Sequence, residues 1–226
     1  MTLQKWGGIA AIIEACTYLF GFVLFFGLID ATGYDTPERY LSFVLENRDV
    51  FISGYFVIGI LFSFMLVVLV HALHQRMKNV APELMACTAV VGYIWAAFVL
   101  ASSFIFITSL SAVAKFHELD PVQALTIDRT IGIVVDALGG GIELIGAIWV
   151  LAITYVGLKH NVYSRLLHYW GALVSVAGVL TLFSTLSFLS GNPFFDITTA
   201  LFGLGQILWF IGLGVAMLRD NPTSHP

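Results

Sequence analysis

Charge is what this sequence has least of. Only 11% of its 226 residues are Asp, Glu, Lys or Arg, less than half of the roughly 25% usual in soluble domains. A chain so poor in charge and so apolar is not disordered, because disorder needs low hydrophobicity and high net charge. Positive charge is scarcer still, with 10 Lys and Arg against 14 Asp and Glu and a formal net charge of −4. Nucleic acid is therefore not an expected partner, since phosphate binding rests on clustered cations. Cysteine occurs twice, at Cys16 and Cys87, each inside an apolar run. That excludes a disulfide framework and a set of paired thiols for a metal, and both residues read as small buried hydrophobes. A phosphate-binding loop, a nucleophile elbow and a zinc-protease signature are missing too. No cofactor is implied, and hydrolysis of a soluble substrate is not expected.

Apolar length is what the chain has instead. Hydrophobic residues make up 59% of it, with 19 Phe and a mean hydropathy of +0.93. Six stretches are long enough for the roughly 30 Å hydrocarbon core of a bilayer: Trp6 to Leu28, Val50 to Val70, Leu84 to Leu110, Ile131 to Leu158, Leu166 to Leu189 and Ile197 to Leu218. Each is expected to be a helix, because lipid offers no partner to a bare backbone. At about 20 residues apiece they occupy about 120 positions, leaving short connections and no separate extramembrane domain. The expected fold is an all-α, six-helix integral membrane bundle forming one domain over residues 1–226. The first run follows Lys5 but is long enough to span, and no small-residue cleavage pattern precedes a soluble domain, so it is expected to be retained.

Flanking charge orients the bundle. One set of ends carries Lys5, Arg76, Lys78, Lys159, Arg165 and Arg219 against Glu83 and Asp220. The other carries Asp30, Asp35, Glu38, Glu46, Asp49, Glu118, Asp120, Asp128 and Asp196 against Arg39, Arg48, Lys115 and Arg129. The positive-inside rule places the first set, and both termini, in the cytoplasm. In the two longer outer loops, Thr36-Pro37-Glu38 and Asp120-Pro121 pair a capping residue with a proline suited to a first helical position. Short interfacial helices are expected there, the second running on into the fourth span.

Three acids lie inside the spans: Glu14 in the first, Asp136 and Glu143 in the fourth. A carboxylate near a helix centre costs about 2.5 to 3.5 kcal/mol to insert, and no Lys or Arg occurs within any span to offset it. Helical periodicity places Asp136, Gly139, Gly140, Glu143, Gly146 and Ala147 on one face, and Gly7, Ala10, Ala11, Glu14, Thr17, Tyr18 and Gly21 on another. Both acidic faces are small faces, and small faces pack inward. At about 1.5 Å per residue, Glu14 lies about 12 Å from the basic ends and Glu143 about 20 Å, with Asp136 near the outer boundary. This spacing reads as a ladder for protons or cations, or as a midplane site built on Glu143. Gly139, Gly140 and Gly141 add a place where the helix can bend and free carbonyls beside Glu143. The same residues are equally compatible with close packing and acids that hold helix register. His71, His74, His160 and His168, at the basic ends of three spans, are the weaker candidates for a metal.

Lys5-Trp6-Gly7-Gly8-Ile9-Ala10 at the first span, the outer segment Tyr40 to Asn47, and Ser164-Arg165-Leu166-Leu167-His168-Tyr169-Trp170-Gly171 at the fifth resemble an uncharacterised family of bacterial polytopic membrane proteins. That family is known only as a domain of unknown function. Its members often carry proline before the arginine, where this chain has Ser164. The resemblance implies a multi-pass protein of the bacterial inner membrane and assigns no active residue. Three functions remain open: a proton- or cation-linked carrier or channel using Glu143, Glu14, Asp136 and Gly140; a structural or regulatory subunit; and an enzyme using the histidines, the least favoured. The expected partners are the lipid bilayer and either further copies of the chain or a larger membrane complex.

Overall fold

The six apolar runs become six helical passages, each long and apolar enough to cross a membrane, because in hydrocarbon only a continuous helix pairs its own amides. The computed structural model describes residues 1–139 and 143–220, and no strand occurs among them. Helix α1 (Leu3–Val23) widens into a π-helical turn at Leu24–Leu28. After the surface helix α2 (Pro37–Glu46), the second passage runs through α3 (Arg48–Tyr55), a π-helical stretch at Phe56–Leu61, and α4 (Phe62–Met77). The third is α5 (Pro82–Leu119), the fourth comprises α6 (Pro121–Gly139) and α7 (Leu144–His160), the fifth is α8 (Arg165–Thr181) with a 3-10 turn to Thr185, and the sixth is α9 (Pro193–Arg219). Local chemistry sets the starts. Thr36 caps α2 at Arg39 N and Asn192 caps α9 at Phe194 N, each followed by proline, whose missing N–H costs nothing at that position.

The passages close into a ring in which α1 packs on α4, α4 on α5, α5 on α7, α7 on α8, α8 on α9 and α9 back on α1, with α6 lying along α5. Small residues allow these approaches. A Cβ at Gly8 would press on the Gly214 carbonyl, and one at Gly214 on the Gly8 carbonyl, so the two backbones touch. Trp95, Trp149 and Trp209 then form a column across α5, α7 and α9, with ring centroids 5.9 Å apart in the tilted first pair and 5.8 Å apart in the edge-on second pair, the latter an arrangement that aromatic quadrupoles favour. Gly146 receives the Trp95 ring.

The two ends differ. At the acidic end, the 38 residues of α5 extend about 57 Å, well beyond a hydrocarbon core. The Asp120 carboxylate accepts from Val122 N and Gln123 N and starts α6 at once. Helix α2 does not present its apolar face to the surroundings: Leu41 packs with Val113 and Ala124, and Phe43 and Val44 pack with Phe51 and Leu110. At the basic end, Asp220 accepts from Arg76 Nη2 at 2.7 Å, Arg76 Nε at 3.0 Å and Gln4 Nε2 at 3.2 Å, which ties α1, α4 and the end of α9 together. The Arg76 guanidinium also lies 6.0 Å from the centroid of Tyr163, whose hydroxyl is pushed up to about 12, chiefly by burial. Cys16 and Cys87 are exposed on the flank of the bundle. Reading them as buried is corrected, because an apolar residue on a spanning helix is as comfortable against lipid as inside.

Gly214→Val is expected to force α1 and α9 apart and destabilise the protein by about 1–3 kcal/mol. Gly132→Ala, where an added methyl meets nothing within 4 Å, should leave stability unchanged or slightly higher. Melting of the detergent-solubilised variants distinguishes the two.

Candidate functional site

Helix α1 turns its small face inward as its periodicity requires: Gly7, Ala10, Ala11, Glu14 and Thr17 are buried, while Leu19 and Phe20 are exposed. Glu14 is 0% exposed, and neither carboxyl oxygen has a hydrogen-bond partner among the described residues. Burial of a carboxyl without a partner is costly, so this position is occupied against the preference of the core around it. Gln206 of α9 is a second such residue, also 0% exposed and with both amide atoms unpartnered. The sequence reading passed over Gln206, although a glutamine in the middle of an apolar span is itself a signal.

Glu143 immediately precedes α7 and is half-buried. Its carbonyl accepts from Ala147 N, and its side chain lines a cavity of about 250 Å³ with Thr17, Tyr18 and Gly21 of α1, Ile58, Phe62, Trp95, Val99 and Gly139. Phe22, Phe25 and Phe26 complete the wall, the last two from the π-helical turn that ends the first passage. Tyr18, one turn outward from Glu14, lies within Coulombic range of both Glu14 and Glu143. The two acids are therefore neighbours of one hydroxyl, but only Glu143 lines the cavity.

Asp136 is exposed on α6 and lines a smaller cavity of about 130 Å³ with Tyr55, Gly59, Ser102, Ser103 and Val135. Ile58, Val99 and Gly139 border both cavities, so the two are adjacent. A Cβ at Gly139 would meet Ser102, and the Ser102 hydroxyl donates to the Val135 carbonyl at 2.9 Å, holding α5 to α6. Tyr55 stacks on Phe106 with centroids 3.7 Å apart at the outer side of the smaller cavity. Gly140, with Gly141 and Ile142, lies outside the described residues. The expected acidic face of the fourth span is thus divided: Asp136 and Gly139 stand on α6, while Gly146 and Ala147 pack within the core from α7.

The histidines are not brought together. His71 Nδ1 is 3.2 Å from the Tyr93 hydroxyl, His74 Nδ1 is 3.1 Å from the Met85 carbonyl, and buried His168 bonds through Nε2 to the Val162 carbonyl. His160 lines a separate surface pocket with Glu83 and Lys159. Among the described residues no three His, Cys, Asp or Glu side chains converge on a point where a metal ion would sit.

What sequence reasoning missed is the aromatic wall. Phe22, Phe25 and Phe26 carry no assignment from sequence alone, and the signal that sets them apart is the clustering of aromatics just beyond the acidic face of the same helix. Two wide helical turns, Leu24–Leu28 and Phe56–Leu61, border these cavities, and π-type turns recur where a helix makes room for function. An unpartnered buried carboxyl costs about 1–3 kcal/mol, so Glu14→Leu is expected to raise the melting temperature by roughly 2 °C or more for a chain of this size. A fall in melting temperature would mean that the carboxyl carries a structural bond. No family model matches this chain, and no curated protein or solved structure is significantly similar to it, so the chemistry of the site rests on its own residues.

Proposed function

We propose that this is a carrier of the bacterial inner membrane that couples movement of a small solute to protonation of Glu143. The observation that supports this most is the placement of Glu143 on the wall of the larger cavity, beside a second cavity that leads past Gly139 to Asp136. A side chain that must bind and release a proton needs access, and a carboxyl at membrane depth without a basic partner is in most proteins functional. In this reading Asp136 is the outer entry, Glu143 the exchanging group, and Glu14, behind Tyr18, the inner acceptor. Gly140, the remaining residue of the expected ion path, lies outside the described residues.

The orientation goes with the proposal. Both termini are cytoplasmic by the distribution of Lys and Arg, which places α2 and the start of α6 at the outer surface. Membership of the uncharacterised bacterial family that the chain resembles belongs to the same reading. A non-catalytic membrane subunit is the second reading, favoured by the enclosure of Glu14, which is fully buried and lines neither of these two cavities. A stoichiometric partner protein in the native mass of the gently extracted protein would support it, whereas a single chain or homo-oligomer would support the carrier.

The purified protein, reconstituted into vesicles containing a pH-sensitive dye, is expected to dissipate an imposed proton gradient. Glu143→Gln is expected to slow this about 10²-fold or more, the usual consequence of removing an essential proton-transfer group. Equal rates for the variant and the parent would rule out Glu143 as the exchanging group.

A further inference from the structure

The wall of the larger cavity narrows the class of solute. Six of its lining residues are aromatic: Tyr18, Phe22, Phe25, Phe26, Phe62 and Trp95. Along this arc they make two contacting groups: Phe22 stacks on Phe26 at 5.7 Å, while Phe62 is edge-on both to Tyr18 at 5.6 Å and to Trp95 at 5.5 Å. Opposite charge is supplied by Glu143, the one carboxylic acid on the wall among the described residues, none of which contributes a Lys, Arg or His to the cavity. Phe26, at the rim, is 83% exposed, so the cavity opens on the flank of the bundle.

Each common class of small solute makes a different demand on such a wall. An anion would find no positive partner. A hard metal cation seeks about six to eight oxygen ligands, and the side chains here offer oxygens only from Thr17, Tyr18 and Glu143. A sugar-like solute needs many hydrogen-bonding groups and would leave most of its hydroxyls against phenyl rings, at the cost of burying them unpaired. A positively charged organic group is served by both features at once, since aromatic faces attract cations electrostatically, most strongly when water is excluded, and a carboxylate completes the charge. The volume of about 250 Å³ is just below the range of drug-sized pockets, about 300 to 1,000 Å³, which limits the guest to a small molecule.

We propose that the aromatic cavity beside Glu143 binds a small organic cation, a quaternary ammonium or protonated amine, held between the aromatic arc and the Glu143 carboxylate. The inference rests on the carrier reading for its biological sense, but the binding site stands or falls by itself. Phe22 contributes a π face at the half-buried rim, and Tyr18 and Phe62 contribute edges and faces deeper in.

The test is equilibrium binding of radiolabelled tetraethylammonium to the full-length, detergent-solubilised protein, with choline and its uncharged isostere 3,3-dimethylbutanol as competitors. Saturable binding is expected, displaced by choline but at least 10-fold less well by the isostere and not by equimolar sodium. Glu143→Gln is expected to weaken it about 10-fold or more by removing the charge partner, and Phe22→Leu about 2- to 10-fold by replacing a π face with an alkyl group. Because Phe22 is at the rim, that variant keeps the question answerable even if Glu143→Gln fails to fold, and the competition between choline and its isostere needs no variant. Absence of saturable binding, equal competition by the isostere, or unchanged affinity in Phe22→Leu would overturn the proposal. Displacement by equimolar sodium would overturn it in favour of an inorganic cation. Cation binding as described, together with proton flux that ignores Glu143→Gln, would uphold the site and remove the carrier reading; flux without binding would do the reverse.

Discussion

No cation is available at the depth of the buried acids, and much of the molecule is arranged around that shortage. The ion pairs among the described residues, Arg39–Asp35, Arg48–Asp49 and Arg76–Asp220, all lie at the ends of the bundle. Inside, Glu14 and Glu143 have no basic neighbour and must be accommodated by other means. Glu143 is at the cavity wall, and Glu14 is enclosed by the small-residue seam of α1. The interior hydroxyls do not relieve them: Thr17 donates to the Glu14 backbone carbonyl and Ser63 to the Gly59 carbonyl, so these groups serve their own helices. Ser102, which reaches the Val135 carbonyl of α6, bridges two helices but likewise leaves both carboxyls without a partner.

Much of the architecture was legible because the bilayer allows so few solutions. Length and apolarity located all six passages, and the inward orientation of the Gly7 to Thr17 face followed from periodicity together with residue size. Most boundaries were read too short, because polar flanking residues such as Arg48 and Asp49 continue the helix and hydropathy registers only the part that lipid requires. The fifth passage was read too long at its end, since its helix stops at Thr185 rather than Leu189. Proline was the better marker: Pro37, Pro82, Pro121 and Pro193 each begin a helix.

The site was legible in its acids and not in its walls. A carboxyl in an apolar run is conspicuous, so Glu14, Asp136 and Glu143 stood out, whereas a phenylalanine among many others carries no mark of facing a cavity rather than lipid. The difference is made by the π-helical turn at Leu24–Leu28, which shifts the facing of Phe25 and Phe26 relative to an ordinary helix, and no residue type announces such a turn. The expected outward ladder is likewise only partly a single path. Asp136 and Glu143 border adjacent cavities, whereas Glu14 borders neither and has Tyr18 between it and the larger one.

That partition follows the two ends of α1. At the basic end α1 is fixed by the Gly8–Gly214 backbone contact and by Gln4, which donates to the Met217 and Asp220 carbonyls as well as to the Asp220 side chain. At the other end, Gly21 meets a single side chain and Gly27 meets nothing within 4 Å, and the helix is already widened. Between the two ends stands Tyr18, edge-on to Phe62 and tilted against Phe210, so the residue nearest both acids is fixed by core aromatics, while Phe26, one turn beyond Phe22, is left 83% exposed. The helix therefore passes from a clasped, glycine-lined seam to an open, aromatic wall within its own length, and the change falls at the level of Glu143, where the cavity begins.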